Sequence, residues 1–338
     1  MAMNNSGVFH SAIHRHLPSV EKRLRNERYG VTLRIVVKIG HALLGVAVGL
    51  FTFSALAGSA DPVERRVLMI GNSFSICVGH EMPQIAQAMG LKLTLGSLYI
   101  GGCTLEKHWQ NWVAQTNVDY RPYLYEVYVD GRKRTRQVNI PEALDEFAWD
   151  VVTFQQASHL SWKPQSYQPF ADNLQAGVGG RLPRAEFVWQ ETWSYTPWHW
   201  DFKYWKFDQN GMYERLHKAY VDIAASKGQR IIPTGTAVQL WRKRLPVVYR
   251  EDSLGGDVVG RNTTFERQPD GTFKAKGDLF HLNRAGEYLQ ALVWTAKIFG
   301  VDVRKCPYVP GYVTPQSAEL MKQVAMEAVA TAGEITGM

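Results

Sequence analysis

From Arg66 onward short β-rich runs alternate with helical stretches, and this alternation narrows the fold more than any other feature of the chain. It is the pattern of a parallel sheet wrapped by helices. Strands are expected over 67–70, 93–98, 151–154, 186–189 and 230–232, and helices over 80–89, 105–114, 212–226, 284–299 and 316–332. The strands are almost continuously apolar, which suits burial on both faces. The fold class is therefore α/β, a single domain with a parallel sheet of about five strands flanked by helices. An Asp130-Gly131 turn between alternating arms at 123–129 and 133–140 reads as a β-hairpin inserted between the second and third strands. The polar, glycine-rich stretch 250–276, with its own Asp270-Gly271 turn, reads as a long surface loop or a second inserted hairpin.

The first strand runs into Gly71-Asn72-Ser73-Phe74-Ser75. A hydroxyl is thereby placed at the carboxyl end of a buried strand, where open α/β sheets hold their ligands. Taken alone, Gly-Asn-Ser is also an ordinary turn sequence. Near the other end of the chain, Asp278-Leu279-Phe280-His281 precedes Leu282-Asn283, with Asn283 placed to cap the helix over 284–299. An Asp and a His three residues apart in one turn face the same side. The carboxylate can then accept from imidazole Nδ1 and leave Nε2 for a serine proton. Ser73, His281 and Asp278 are thus candidates for nucleophile, base and orienting carboxylate. A solvated Asp beside an ordinary His is the plain alternative.

These segments resemble those of the SGNH, or GDSL-like, hydrolases, whose first block carries the nucleophilic Ser after a strand and whose last block is D-x-x-H. Gly101-Gly102-Cys103-Thr104-Leu105 stands where that superfamily places a glycine whose amide donates to the oxyanion. The order of GNSFS, GGCTLEKHW, WDVVTFQQASH, QETWSY and IIPTGTAVQ is similar to a branch made of largely uncharacterised secreted bacterial domains. The resemblance implies a flavodoxin-like sheet, catalysis by Ser73, Asp278 and His281, and oxyanion donors at the amides of Ser73 and Gly102. The usual G-x-N-D of the third block is replaced by Gln155-Gln156-Ala157-Ser158-His159. A Gln amide donates as an Asn amide does, so Gln156 is the expected third donor, with Gln155 and Ser158 behind it.

The leader sets the compartment. Residues 1–60 carry seven Lys/Arg against two Glu, a net +5 of the chain's +7, which leaves 31 cations against 29 carboxylates for residues 61–338. A near-neutral folded part gives no ground for a nucleic-acid partner. After Arg34 and Lys38 comes an apolar run over 42–57, followed by Ala55-Leu56-Ala57 and Gly58-Ser59-Ala60. Basic region, apolar region and small-residue site read as a secretory signal peptide cleaved near 57–60, leaving 61–338 as the domain and no stable membrane span. A retained anchor is the alternative, and the run is short for one. The expected location is secreted or periplasmic. Only three Cys occur, at 77, 103 and 306, so no disulfide scaffold is expected. Cys77 and Cys103 read as two buried thiols, with a bridge between them as the alternative. The chain lacks H-E-x-x-H, paired Cys at zinc spacing, and the phosphate and dinucleotide glycine motifs, so no metal or organic cofactor is expected.

One compositional bias bears on substrate. Over 187–207, ten of 21 residues are aromatic, including five of the chain's eleven Trp. Core packing and a substrate platform weigh equally for this stretch, because flat aromatic faces suit sugar rings and acyl chains. Trp198, Trp200 and His159 are the expected substrate contacts, while His80 and His108 read as supporting residues. The combined expectation is an exported serine ester hydrolase removing acyl groups, such as O-acetyl, from carbohydrate. A lipase or lysophospholipase, or a catalytically weak carbohydrate-binding protein on the same scaffold, are the alternatives.

Overall fold

A computed structural model describes residues 63–115, 119–244 and 254–336. The expected leader over 1–60 lies outside the described residues. The strands are β1 (Glu64–Gly71), β2 (Lys92–Tyr99), β3 (Tyr123–Val129), β4 (Arg132–Val138), β5 (Val151–Phe154), β6 (Glu186–Gln190), β7 (Arg230–Ile232), β8 (Thr264–Arg267) and β9 (Phe273–Lys276). The helices are α1 (Ser73–Ile76), α2 (Met82–Ala88), α3 (Leu105–Ala114), α4 (Ile140–Leu144), α5 (Phe170–Arg181), α6 (Phe202–Trp205), α7 (Gln209–Lys227), α8 (Thr234–Arg244), α9 (Arg284–Phe299) and α10 (Pro315–Thr336).

The main sheet has seven strands in the order β4-β3-β2-β1-β5-β6-β7, not five. The five expected strands are all present and mutually parallel. Taken alone they follow the doubly wound order in which the second strand precedes the first, as in flavodoxin-like sheets. The two added strands are the Asp130-Gly131 hairpin, which joins the sheet antiparallel to β2. The reason lies in its arms. Tyr123, Tyr125 and Val127 are buried, so β3 needs a sheet edge to cover, whereas β4 is exposed over Arg132–Gln137. An edge strand carrying Arg132, Lys133, Arg134 and Arg136 resists further strand addition. The second expected hairpin is β8 and β9, a separate two-stranded sheet.

Both faces of the sheet are covered, as the inaccessibility of Val67, Leu68, Met69 and Ile70 requires. Helix α3 packs on α5, and α2 packs on α9, which also meets α8 and α10. Helix α5 is absent from the expected helices because its sequence FADNLQAGVGGR holds three glycines, which are poor helix formers. Packing overrides propensity here. A Cβ at Gly177 would fall 2.5 Å from the Trp112 ring on α3, so any larger residue at this crossing would have to displace that ring.

Candidate active site

The reversal point of the parallel order lies between β1 and β5, and the site is built on the loops that leave the carboxyl ends of β1, β2, β5 and β6. At the end of β1, Asn72 caps α1: its Oδ1 accepts from Phe74 N at 3.0 Å, and its Nδ2 donates to the Cys103 carbonyl at 3.0 Å. Gln155, the first residue after β5, donates from Nε2 to the same Asn72 Oδ1 at 2.6 Å. The donor at Phe74 N fixes which end of the Asn72 amide is oxygen, and so fixes the Gln155 amide too. One asparagine therefore ties together the segments that follow β1, β2 and β5. The Phe74 carbonyl is a second junction, accepting from Gln190 Nε2 at 2.6 Å and Gln290 Nε2 at 2.8 Å.

Ser73 opens α1, and its Oγ lies 2.7 Å from His281 Nε2. His281 Nδ1 lies 2.7 Å from Asp278 Oδ2, while Asp278 Oδ1 accepts from the backbone N–H of His281 at 2.9 Å and of Phe280 at 3.2 Å. Burial pushes the Asp278 carboxyl upward, but the His281 side chain and these two amides outweigh it, and the net direction is downward. Asp278 is thus held as a carboxylate facing the imidazole. The structure brings together the three residues expected to converge.

Ser73 and His281 open into a pocket of about 430 Å³ lined by residues from these four loops and from the loop before α9, among them Gly102, His159, Tyr195, Trp200 and Phe280. Gly102 takes the left-handed conformation, φ +61°, on the loop after β2. Ser73 and Gly102 both line the pocket, and neither backbone N–H is paired among the described residues.

Gln156 is not the third donor. Its Nε2 donates to the Ser166 carbonyl at 2.7 Å and to Ser166 Oγ at 3.1 Å, and its Oε1 accepts from Leu105 N and Ala157 N. Both amide hydrogens are used, and the side chain is fully buried away from the pocket. Successive side chains at a strand end point in opposite directions. Gln155 therefore turns to Asn72, and Gln156 turns to the start of α3. Ser158 lines the pocket with its Oγ bonded to Tyr195 OH at 2.8 Å.

The family described as "Domain of unknown function (DUF4886)" matches residues 66–328. The chain belongs to the DUF4886 family. A DUF4886 family protein from Bacteroides uniformis has a similar structure, with 29% identity, coverage of 79% of this chain and 95% of that one, and a TM-score of 0.66. A protein from Slackia heliotrinireducens named "a putative SGNH hydrolase" aligns at 21% identity over 68% of this chain and 96% of its own, with a TM-score of 0.43. A "putative GDSL-like lipase" from Parabacteroides merdae aligns at 13% identity over 69% and 95%, with a TM-score of 0.41. No curated protein matches the chain.

In this DUF4886 domain the aromatic run divides. Trp189, Trp193, Tyr195 and His199 are buried, and Trp205 packs among Trp162, Tyr195 and Phe207. Trp198 sits edge-on to Phe265 of β8, 5.1 Å between centroids, and is not among the residues lining the pocket. Of the two expected Trp contacts only Trp200 lines the pocket, and it is 53% exposed. His159 lines it as expected. His108 is fully buried on Tyr123, and burial lowers its pKa to about 3. His80 pairs with Glu287 at 2.9 Å, bordering a different pocket.

Several supports of the site are invisible in the sequence. Trp193 Nε1 donates to the Phe280 carbonyl at 2.8 Å, and Thr196 N donates to the Leu279 carbonyl at 3.0 Å, so the aromatic segment holds the D-x-x-H loop. Buried Arg242 donates to Asp257, to the carbonyl and Oγ of Ser194 and to the Tyr195 carbonyl. The Asp257 carbonyl in turn accepts from Asn283 Nδ2 at 2.8 Å, just beyond His281. Cys77, Cys103 and Cys306 are all buried free thiols, in keeping with the expected unbridged reading. Among the described residues no cluster of three His, Cys, Asp or Glu side chains is placed to hold a metal ion, and no helix is long and apolar enough to cross a membrane.

Proposed function

We propose that this chain is an exported serine ester hydrolase that removes O-acetyl groups from carbohydrate. The observation that carries the reading is the continuous Ser73, His281, Asp278 contact at the mouth of a pocket that also presents two unpaired amides. In this mechanism Ser73 Oγ attacks the ester carbonyl as His281 Nε2 takes its proton. Asp278 holds the ring tautomer and stabilises the imidazolium. The amides of Ser73 and Gly102 receive the oxyanion. His281 returns the proton to the departing alcohol, and water, activated by the same imidazole, releases acetate from Ser73. The resemblance of the sequence blocks to SGNH hydrolases supports the same chemistry.

The substrate class rests on the expected signal peptide and on Trp200, whose half-exposed ring at the pocket offers a sugar a stacking face. The decisive experiment treats the purified protein with a serine-directed fluorophosphonate and follows acetate release from acetylated polysaccharides. Labelling at Ser73 is expected. Ser73→Ala should abolish it and reduce acetate release by about 1,000-fold or more with an unchanged melting temperature. A folded wild-type protein that neither labels nor releases acetate would leave the binding-protein reading in its place.

A further inference from the structure

On one side of the pocket His199, Trp200 and Asp201 follow one another in sequence, and all three line it. Asp201 stands at the cap position of α6, yet its side chain makes no capping hydrogen bond. Its nearest charged or chargeable neighbour is His199, whose Nδ1 lies 3.9 Å from Asp201 Oδ2. That nitrogen accepts a hydrogen bond from Asp201 N at 3.3 Å, so its ring proton is on Nε2 and it has none to share with the carboxylate. Burial also lowers the His199 pKa to about 4, which leaves the ring neutral at neutral pH. The carboxylate is one-third exposed and has no cationic partner among the described residues.

The rest of the lining sharpens the point. No Lys or Arg is among the described residues that line the pocket, and its other carboxylate-bearing neighbour, Asp278, is committed to His281. Lys163, close enough to disfavour protonation of His159, is not part of the lining. The field of Asp201 reaches His159, Tyr195 and His199, all of which face the same space. Trp200 stacks on His199, 4.3 Å between centroids, and leaves about half its surface open beside that carboxylate. An open indole next to an uncompensated carboxylate attracts a positively charged nitrogen by ion pairing and cation–π contact together, and repels an anion.

We propose that Trp200 and Asp201 form a subsite for a positively charged nitrogen, so that the pocket selects esters whose alcohol carries an amine or ammonium group. This rests on the ester-hydrolase reading above. With acetyl as the acyl group, any charge the pocket reads must sit on the alcohol. For a carbohydrate ester this means an O-acetylated sugar bearing a free amine rather than a uronate or a phosphorylated sugar.

The test compares acetylcholine with its uncharged carbon isostere, in which a carbon replaces the quaternary nitrogen. Wild-type kcat/KM is expected to favour the cationic ester by about tenfold at low ionic strength, and the preference should shrink as salt is added. In Asp201→Asn the ratio should fall to about one, and Trp200→Ala should lower it partially. Asp222→Asn, an exposed carboxylate of α7 paired with Lys218, should keep the wild-type ratio. Equal kcat/KM for the two esters in the wild-type protein overturns the cation subsite and leaves the hydrolase reading intact. So does an unchanged preference in Asp201→Asn. Hydrolysis of neither ester overturns both.

Discussion

Two segments meet at the pocket and are held by different physics. The loop 278–283 takes its internal shape from short-range hydrogen bonds, Asp278 accepting from its own turn and from His281 and Asn283 capping α9 by accepting from Gly286 N, and is tied down by backbone bonds to Val258 and Gly260. The segment 191–205 has local turns from 196 onward, but its place is set by rings packed on distant rings, Trp193 on Phe74 and Tyr195 on Phe280, and by the reach of Arg242 from α8. The first sets the Asp278–His281 geometry within one turn. The second depends on the whole domain for its shape. The loop that carries Asp278 and His281 therefore leans on the other for position, through Trp193 and Thr196.

The largest way to break this contrast is within the aromatic run itself. Trp193→Ala removes a fully buried ring stacked on Phe74 at 4.1 Å, and should cost about 3–5 kcal/mol of stability. Trp200→Ala should stay within about 0.5 kcal/mol in the same chemical denaturation experiment. Similar losses for both would mean that the run behaves as one core, with no separate pocket-facing part.

A smaller effect is expected where the local network crosses between strands. Gln155→Leu keeps the bulk near Asn72 but removes the 2.6 Å bond, and should lower kcat by about 10-fold to 100-fold with little change in KM, through misplacement of Ser73 and Gly102. A lowered melting temperature with an unchanged kcat would make Gln155 purely structural.

The smallest effect concerns pH. Burial holds His108 at about 3 and His199 at about 4, against an ordinary 6.5. As pH falls below 6.5 the unfolded chain takes up these protons first, so the stability the neutral rings contribute is complete above 6.5 and is lost as pH falls toward 3 to 4. Melting temperatures measured across that window should decline, and His108→Phe should flatten part of the slope. An identical slope in the variant would show that other groups set the acid limit.

The parallel strands and the Asp278–His281 contact were legible because each is written locally. Strand runs are short and apolar, and D-x-x-H fits in one turn. The sheet's true width was not, because nothing local in 123–138 says whether a hairpin stands alone or joins the edge of β2. Helix α5 was hidden because Gly177 answers to Trp112, a residue far away in sequence. Gln156 was assigned to the oxyanion for a similar reason: either amide is chemically suited to one, and only the direction in which β5 ends decides that Gln155 reaches Asn72 and Gln156 reaches Ser166. Arg242 and Asp257 carry no motif at all, and their pairing follows from the approach of α8 to the segment that precedes β8.

The Phe74 carbonyl has a consequence for the order of assembly. It accepts bonds from side chains 116 and 216 residues further along the chain, on β6 and α9. Contacts of such long separation are the slowest to gain in folding, since the intervening chain must be ordered first. The backbone beside Ser73 therefore locks only after the sheet has reached β6 and α9 has docked. A ribosome-bound or transiting chain that lacks α9 lacks His281's fixed partner geometry as well. During synthesis this arrangement would leave the backbone around Ser73 unfixed until α9 packs onto it.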